Sequence, residues 1–312
     1  MLKIGVQSGG IFNMSNCEAG IRTLAEHGFE CCDFNIDTLL PGDQIRKGEP
    51  CGFFDQSIEE LFAFFAPLKD ACEKYNVAIT QIHGPFPLWV NERDAMNEYT
   101  IMATEKCFAV MQYLGCKNIV VHPTNAQYVL GSKDAEREIN LNIYRKLIPA
   151  AKKYGITICL ENLFANIKGR VLEGPCSDVG EIAWYIDKLN AEAGEDIFGF
   201  CLDVGHANLY GRNMYEYIKG IGHRLTVLHI HDNDGLSDLH MLPYSYTRNN
   251  GKDLIIDWPG FIKGLREIGY RGDLCFETFR CMSCFPADVH PQLLDLIHAI
   301  GQHFVDGITA EQ

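Results

Sequence analysis

Seven short stretches of the chain carry side chains that bind metals or move protons. They read Gln81-Ile82-His83-Gly84-Pro85, Val120-Val121-His122-Pro123, Cys159-Leu160-Glu161-Asn162, Cys201-Leu202-Asp203-Val204-Gly205-His206, Leu228-His229-Ile230-His231-Asp232, Asp238-Leu239-His240 and Cys275-Phe276-Glu277-Thr278. Imidazole and carboxylate groups are the usual donors to a divalent cation, whose ligands must converge to within roughly 2 Å of one point. A lone histidine after an apolar run is ordinarily just a satisfied polar residue. An acidic residue there is harder to dismiss, because an unpaired buried charge is strongly unfavourable. The same donor types closing one apolar run after another point to a metal centre.

Such convergence needs strands whose ends meet. Candidate strands are Leu2–Gln7, Glu30–Asn35, Ala78–His83, Asn118–His122, Thr157–Glu161, Gly199–Asp203, Thr226–Ile230 and Asp273–Glu277. Between them lie stretches with apolar residues at three- and four-residue spacing, clearest in Ser57–Tyr75 and Tyr99–Leu114, and Pro286–Phe304 reads as a closing helix. Glycines after the periodic stretches, at Gly28, Gly115, Gly155 and Gly269, mark helix ends. Strands alternating with helices pair in parallel, and eight such units close an α/β (β/α)8 TIM barrel. An open doubly wound sheet would carry a glycine-rich turn after its first strand, and Ser8-Gly9-Gly10 lacks that spacing. No linker or composition shift divides the chain, so residues 1–312 are expected to form one domain. The segments 37–55 and 240–257 read as long functional loops of that domain. In a barrel of this kind the carboxyl ends of all strands open on one mouth.

Composition narrows the chemistry. The 312 residues are 47% apolar and 22% charged, enough to bury a large core. The formal net charge of −14 and the lack of a basic run argue against a nucleic-acid partner. The 13 cysteines are scattered without a disulfide-scaffold spacing, and Cys281-x-x-Cys284 lacks the second half of a zinc knuckle. Free thiols, an opening that reads as a strand at once and the absence of an apolar run of about 20 residues lead to the expectation of a cytoplasmic protein without a membrane span.

Taken together, His-Gly-Pro, His-Pro, Leu-Glu-Asn, Leu-Asp-x-Gly-His, His-x-His-Asp-Asn-Asp, Asp-x-His and a final Glu resemble the xylose-isomerase-like barrel superfamily over essentially the whole chain. That group includes sugar and sugar phosphate isomerases and epimerases, inosose dehydratases and abasic-site nucleases of the endonuclease IV type. The resemblance to the ketose 3-epimerases implies one divalent ion (Mn, Mg, Co or Zn) on Glu161, Asp203, His229 and Glu277. The endonuclease IV pattern would add His83, His122, His206, Asp238 and His240, enough for three zinc ions. All nine positions are filled, and no ligand position has the substitution expected of a barrel that has lost catalysis. Two departures set limits. Met241-Leu242-Pro243 follows His240 where the nucleases carry a Gly-Glu-Gly run, and Asp232-Asn233-Asp234 stands where ketose 3-epimerases place an arginine.

The resemblance and the acidic charge favour a metal-dependent isomerase or epimerase acting on a sugar, sugar phosphate or polyol, with homo-oligomers compatible with the class. A lyase of the inosose dehydratase type is an alternative, as is a zinc phosphodiesterase. Glu161 and Glu277 are expected to move the proton next to a metal-polarised carbonyl, and His206 to hydrogen-bond the substrate. His231, two residues past His229 and on the same side of its strand, is a further ligand or a support for one. Phe12, Phe86, Trp89 and Trp258 are candidates for an apolar wall against the substrate. Lys168, Arg170 and Arg280 read as solvated charges.

Overall fold

The computed structural model describes residues 2–310. Its eight barrel strands are β1 (Ile4–Gln7), β2 (Cys31–Asn35), β3 (Ala78–His83), β4 (Asn118–Val120), β5 (Thr157–Glu161), β6 (Phe198–Asp203), β7 (Leu225–His229) and β8 (Leu274–Phe276). A principal helix follows each: α1 (Cys17–Glu26), α2 (Ile58–Tyr75), α3 (Asp94–Leu114), α4 (Lys133–Tyr154), α5 (Val179–Ala193), α6 (Met214–Ile221), α7 (Trp258–Ile268) and α8 (His290–Thr309). Neighbouring strands pair in parallel from β1 to β7, and β8 pairs with β1. A parallel bridge between Ile230 and Phe276 joins the end of β7 to β8 and completes the ring. The expected (β/α)8 barrel is therefore present, with strand bounds within two residues of those read from the sequence.

Local chemistry accounts for the helix ends. Ser57 accepts from the Glu60 backbone N–H while the Glu60 carboxylate accepts from the Ser57 N–H, a reciprocal cap that starts α2. Gly115 closes α3 at φ 76°, in the left-handed region that favours glycine. Packing then seals the barrel: Phe65, Phe108, Tyr144, Tyr185, Phe261 and Phe304 are fully buried between the helices and the sheet. Inside the ring, Val120, Cys159, Cys201 and Val227 pack together as a separate small cluster. All thirteen cysteines are unpaired thiols. Among the described residues no helix is long and apolar enough to cross a membrane.

Two irregularities decide which side chains face inward. Between β2 and β3 the register steps from Cys32↔Ile79 to Asp33↔Gln81, leaving Thr80 as an extra residue. Between β6 and β7 it steps from Phe200↔Leu225 to Cys201↔Val227, leaving Thr226 extra. Strand faces alternate, so one extra residue reverses the faces of all that follow. Gln81 and His83, and likewise Val227 and His229, thus turn into the barrel. The two expected long loops hold local structure: short helical turns at Ile36–Leu39, Gly42–Lys47 and Phe53–Asp55, and a small ribbon of Thr247–Arg248 with Asp253–Leu254. A hairpin of Phe164–Ile167 with Arg170–Glu173, not anticipated from the sequence, follows β5.

Candidate metal centre

The strand-end donors meet at the carboxyl mouth. Glu161, Asp203 and His229 are the last residues of β5, β6 and β7, and Glu277 follows β8 directly. Asp203, His229 and Glu277 bring one ligand atom each to within 4.8 Å of one another. Glu161 stands beside them, its Oε2 3.3 Å from His229 Nδ1, and Glu277 Oε2 lies 3.4 Å from the same nitrogen. All four residues are buried.

Further donors flank this group on both sides. His83 Nε2 and His122 Nε2 are 3.0 Å apart, and His122 Nε2 lies 2.8 Å from Glu161 Oε2. On the other side, Asp238 faces His240 Nε2 at 3.0 Å, His206 Nε2 at 3.8 Å and His231 Nε2 at 4.0 Å. His231 also lies 3.0 Å from the Asp203 carboxylate and stacks on His240 at 4.0 Å. Every residue expected to ligate a metal, including the additional six, is therefore gathered at one mouth.

The hydrogen bonds show that these rings suit a cation. Asp33 Oδ2 can only accept, so His229 Nε2 donates to it at 3.0 Å and Nδ1 faces Glu161 and Glu277. His206 Nδ1 donates to the Asn162 carbonyl (2.9 Å), His240 Nδ1 to the Glu277 carbonyl (3.1 Å) and His83 Nδ1 to the Gly84 carbonyl (3.2 Å). In each case the outer nitrogen is engaged by a protein oxygen and the inner one points at the neighbouring donors, the usual arrangement around metal-bound histidine. Among the described residues His229 Nδ1 and Asp238 Oδ1 are buried with no hydrogen-bond partner. Carboxylate oxygens gathered this closely need a positive charge among them, which ring protons or a divalent cation can supply.

Electrostatics tell the same story. Burial opposes charge on Glu161, yet His122 and His229 hold its carboxyl well below the usual range. Burial likewise opposes charging of His206 and His229, but the surrounding anionic groups, Asp203 at the first and Glu277 and Glu161 at the second among them, raise both well above an ordinary imidazole. Ring protons would balance these carboxylates wherever a cation does not.

The expected apolar wall needs correction. Phe86 does stand at the mouth, edge-on to His122 at 4.5 Å. Phe12 instead stacks on Phe34 and borders a cleft with Ser8, Asn13 and Asn35 beside β1 and β2. Trp89 faces an outer cleft between α3 and α4, with Ile101, Ile143 and Lys146. Trp258 is fully buried against Phe261 and Phe304 and donates to Asp232 Oδ2, so it offers no surface to a substrate. Two further rings meet the candidate ligands: Phe164, 5.0 Å from His206, and Phe279, 4.6 Å from His240. Their position two or three residues beyond Glu161 and Glu277 was a usable signal. Lys168, Arg170 and Arg280 are exposed.

Residues 21–299 match the family of xylose isomerase-like TIM barrels, and the chain belongs to that family. It is 29% identical over 218 residues to an uncharacterised protein of Methanocaldococcus jannaschii, covering 68% of each chain. Among solved structures it resembles a D-tagatose 3-epimerase-like protein (21% identity, 97% of this chain and 100% of the other, TM-score 0.67). It also resembles 3-keto-D-glucoside 4-epimerase from E. coli (20% identity, 96% and 100%, TM-score 0.65).

Proposed function

We propose that the protein is a divalent-metal-dependent sugar isomerase or epimerase. The observation that carries the reading is the placement of Glu161 and Glu277. They come from β5 and β8 and flank Nδ1 of His229 at nearly equal distances, 3.3 and 3.4 Å. Glu161, Asp203, His229 and Glu277 would hold the cation, and the oxygen-rich set suits Mn²⁺ or Mg²⁺ while the imidazole admits Co²⁺ or Zn²⁺. Such a cation would polarise a substrate carbonyl and acidify the neighbouring C–H. One glutamate would take that proton and the other return one to the opposite face, the two roles an epimerase requires. Gln7 Nε2 donates to Glu277 Oε1 at 2.7 Å, which fixes one oxygen of that carboxylate and leaves the other facing the site. His206, with Nε2 inward, would hydrogen-bond a substrate oxygen. Phe86, Phe164 and Phe279 would supply apolar contact to a sugar chain. The similar structures bear the names of sugar epimerases, which supports the same reading.

One observation favours a second reading. The flanking groups His83–His122–Glu161 and His231–Asp238–His240 could each hold a cation of their own, and a three-zinc phosphodiesterase of the endonuclease IV type needs that many donors. The net charge of −14 opposes a DNA substrate. A lyase of the inosose dehydratase type would share the proton abstraction and differ in the group expelled. The test is to incubate the Mn²⁺-loaded protein with ketoses and polyols in deuterated water. Deuterium at the carbon next to the carbonyl in an epimerised or isomerised product supports the proposal, and loss of water from the substrate supports the lyase. Cleavage of abasic DNA with no sugar turnover would overturn the isomerase reading.

A further inference from the structure

We infer that Asp33, held by Gln81, is the positioning residue that makes His229 a metal ligand through Nδ1; the inference rests on the proposed metal centre. Gln7, Asp33 and Gln81 stand opposite one another across β1, β2 and β3, in the registers Gln7↔Asp33 and Asp33↔Gln81. The register step at Thr80 creates this row: in an unshifted pairing Thr80 would stand opposite Asp33 and Gln81 would face outward. All three members of the row are almost completely buried. Among the described residues Asp33 has no lysine or arginine partner; its ionic contact is His229. Its Oδ2 accepts from His229 Nε2 (3.0 Å) and from Gln81 Nε2 (2.8 Å), which also reaches the Leu228 carbonyl (3.3 Å). That carbonyl belongs to the residue before His229, so Gln81 ties the carboxylate and the strand carrying the imidazole to one another.

The geometry leaves one arrangement. The carboxylate cannot donate, so the proton of neutral His229 stays on Nε2 and the lone pair stays on Nδ1, toward Glu161 and Glu277. A buried carboxylate behind the ring also makes the inner nitrogen more electron-rich and hence a stronger donor. Strands β1 and β2 contribute no ligand among the metal donors described above, yet through Gln7 on Glu277 and Asp33 on His229 they fix the orientation of two of them.

The test uses the full chain stripped with chelator and titrated with Zn²⁺ alone, comparing wild type, Asp33→Asn and Gln81→Met. Asp33→Asn is expected to weaken the tightest Zn²⁺ site about 10- to 100-fold, the range for loss of such a supporting partner. Gln81→Met is expected to weaken it less, because the carboxylate remains. Nitrogen-15 spectra of histidine-labelled protein give a second readout: in metal-loaded wild type one imidazole shows metal-bound Nδ1 with protonated Nε2, and in Asp33→Asn that signature is lost or averaged. If Asp33→Asn does not fold, Gln81→Met carries both measurements. Wild-type Zn²⁺ affinity and unchanged histidine spectra in the folded variants would overturn the role of Asp33 while leaving the metal centre standing. Failure of the wild-type chain to bind Zn²⁺ would overturn the reading beneath it.

Discussion

Replacing Gly205 with alanine tests how tightly the centre is built. Gly205 lies in the short helix Val204–Leu209 that follows β6, between the Asp203 and His206 donors. A Cβ there would collide with the His231 ring, touching Cε1 and Nδ1 and coming within 2.7 Å even of Nε2. Ordinary carbon contacts lie near 3.5–4.0 Å, so the ring must retreat by roughly 1 Å or more. It has little room, being fully buried, stacked on His240 at 4.0 Å and held at 3.0 Å by Asp203. Overpacking of this kind costs about 1–3 kcal/mol, and confinement on several sides places Gly205→Ala near the upper end. Thermal unfolding of the apo chain should show a midpoint lower by roughly 3–5 °C. The decisive control is the double variant with His231→Ala: once the ring is gone, the added methyl should cost far less than in wild type. Equal costs of Gly205→Ala in the presence and absence of the His231 ring would refute the argument.

Glu161→Gln keeps the shape of a side chain that three imidazoles face, with His122 at 2.8 Å, His206 at 3.2 Å and His229 at 3.3 Å. Because the change would remove a direct ligand of the proposed centre, the expected loss of metal affinity exceeds the ~100-fold upper range for supporting partners, measured by titration with Mn²⁺ or Zn²⁺. Asp232 gives a pH signature. Burial pushes its carboxyl up to about 6 despite donation from Trp258, Asn233 and Ser245. The folded state then holds a proton that the unfolded state, near the ordinary value of about 4, has released; stability is therefore lost as pH rises between the two, by about 3 kcal/mol in all. Urea unfolding from pH 4 to 7 should show this decline in wild type relative to Asp232→Asn, and parallel profiles would rule it out.

The alternation of apolar runs with amphipathic stretches made the barrel legible, because eight parallel strands and their helices each carry their own period. The donors were legible for the same reason: a polar residue closing an apolar strand has no local explanation, and Glu161, Asp203, His229 and Glu277 all sit there. Asp33, Gln7 and Gln81 were not legible. Each lies inside or at the end of a strand that reads as ordinary, and whether it faces the barrel or the helices depends for Gln81 on the extra residue Thr80, which leaves no mark in the composition. Trp258 misled for a related reason. It opens a helix after a long loop, and the sequence does not reveal that the loop folds back to bury it beneath Asp232 and Phe304. Phe164 and Phe279, by contrast, closely follow Glu161 and Glu277, where position along the strand already places them at the mouth.

The central claim is that the strand-end carboxylates and imidazoles form a cation site. Calorimetric titration of the chelator-stripped wild-type chain with Mn²⁺, read with elemental analysis of the protein as purified, tests it most directly. The expected result is saturable binding of at least one ion per chain that releases protons, since the raised His206 and His229 must give theirs up. A chain that carries no metal as purified and takes up neither Mn²⁺ nor Zn²⁺ would contradict it.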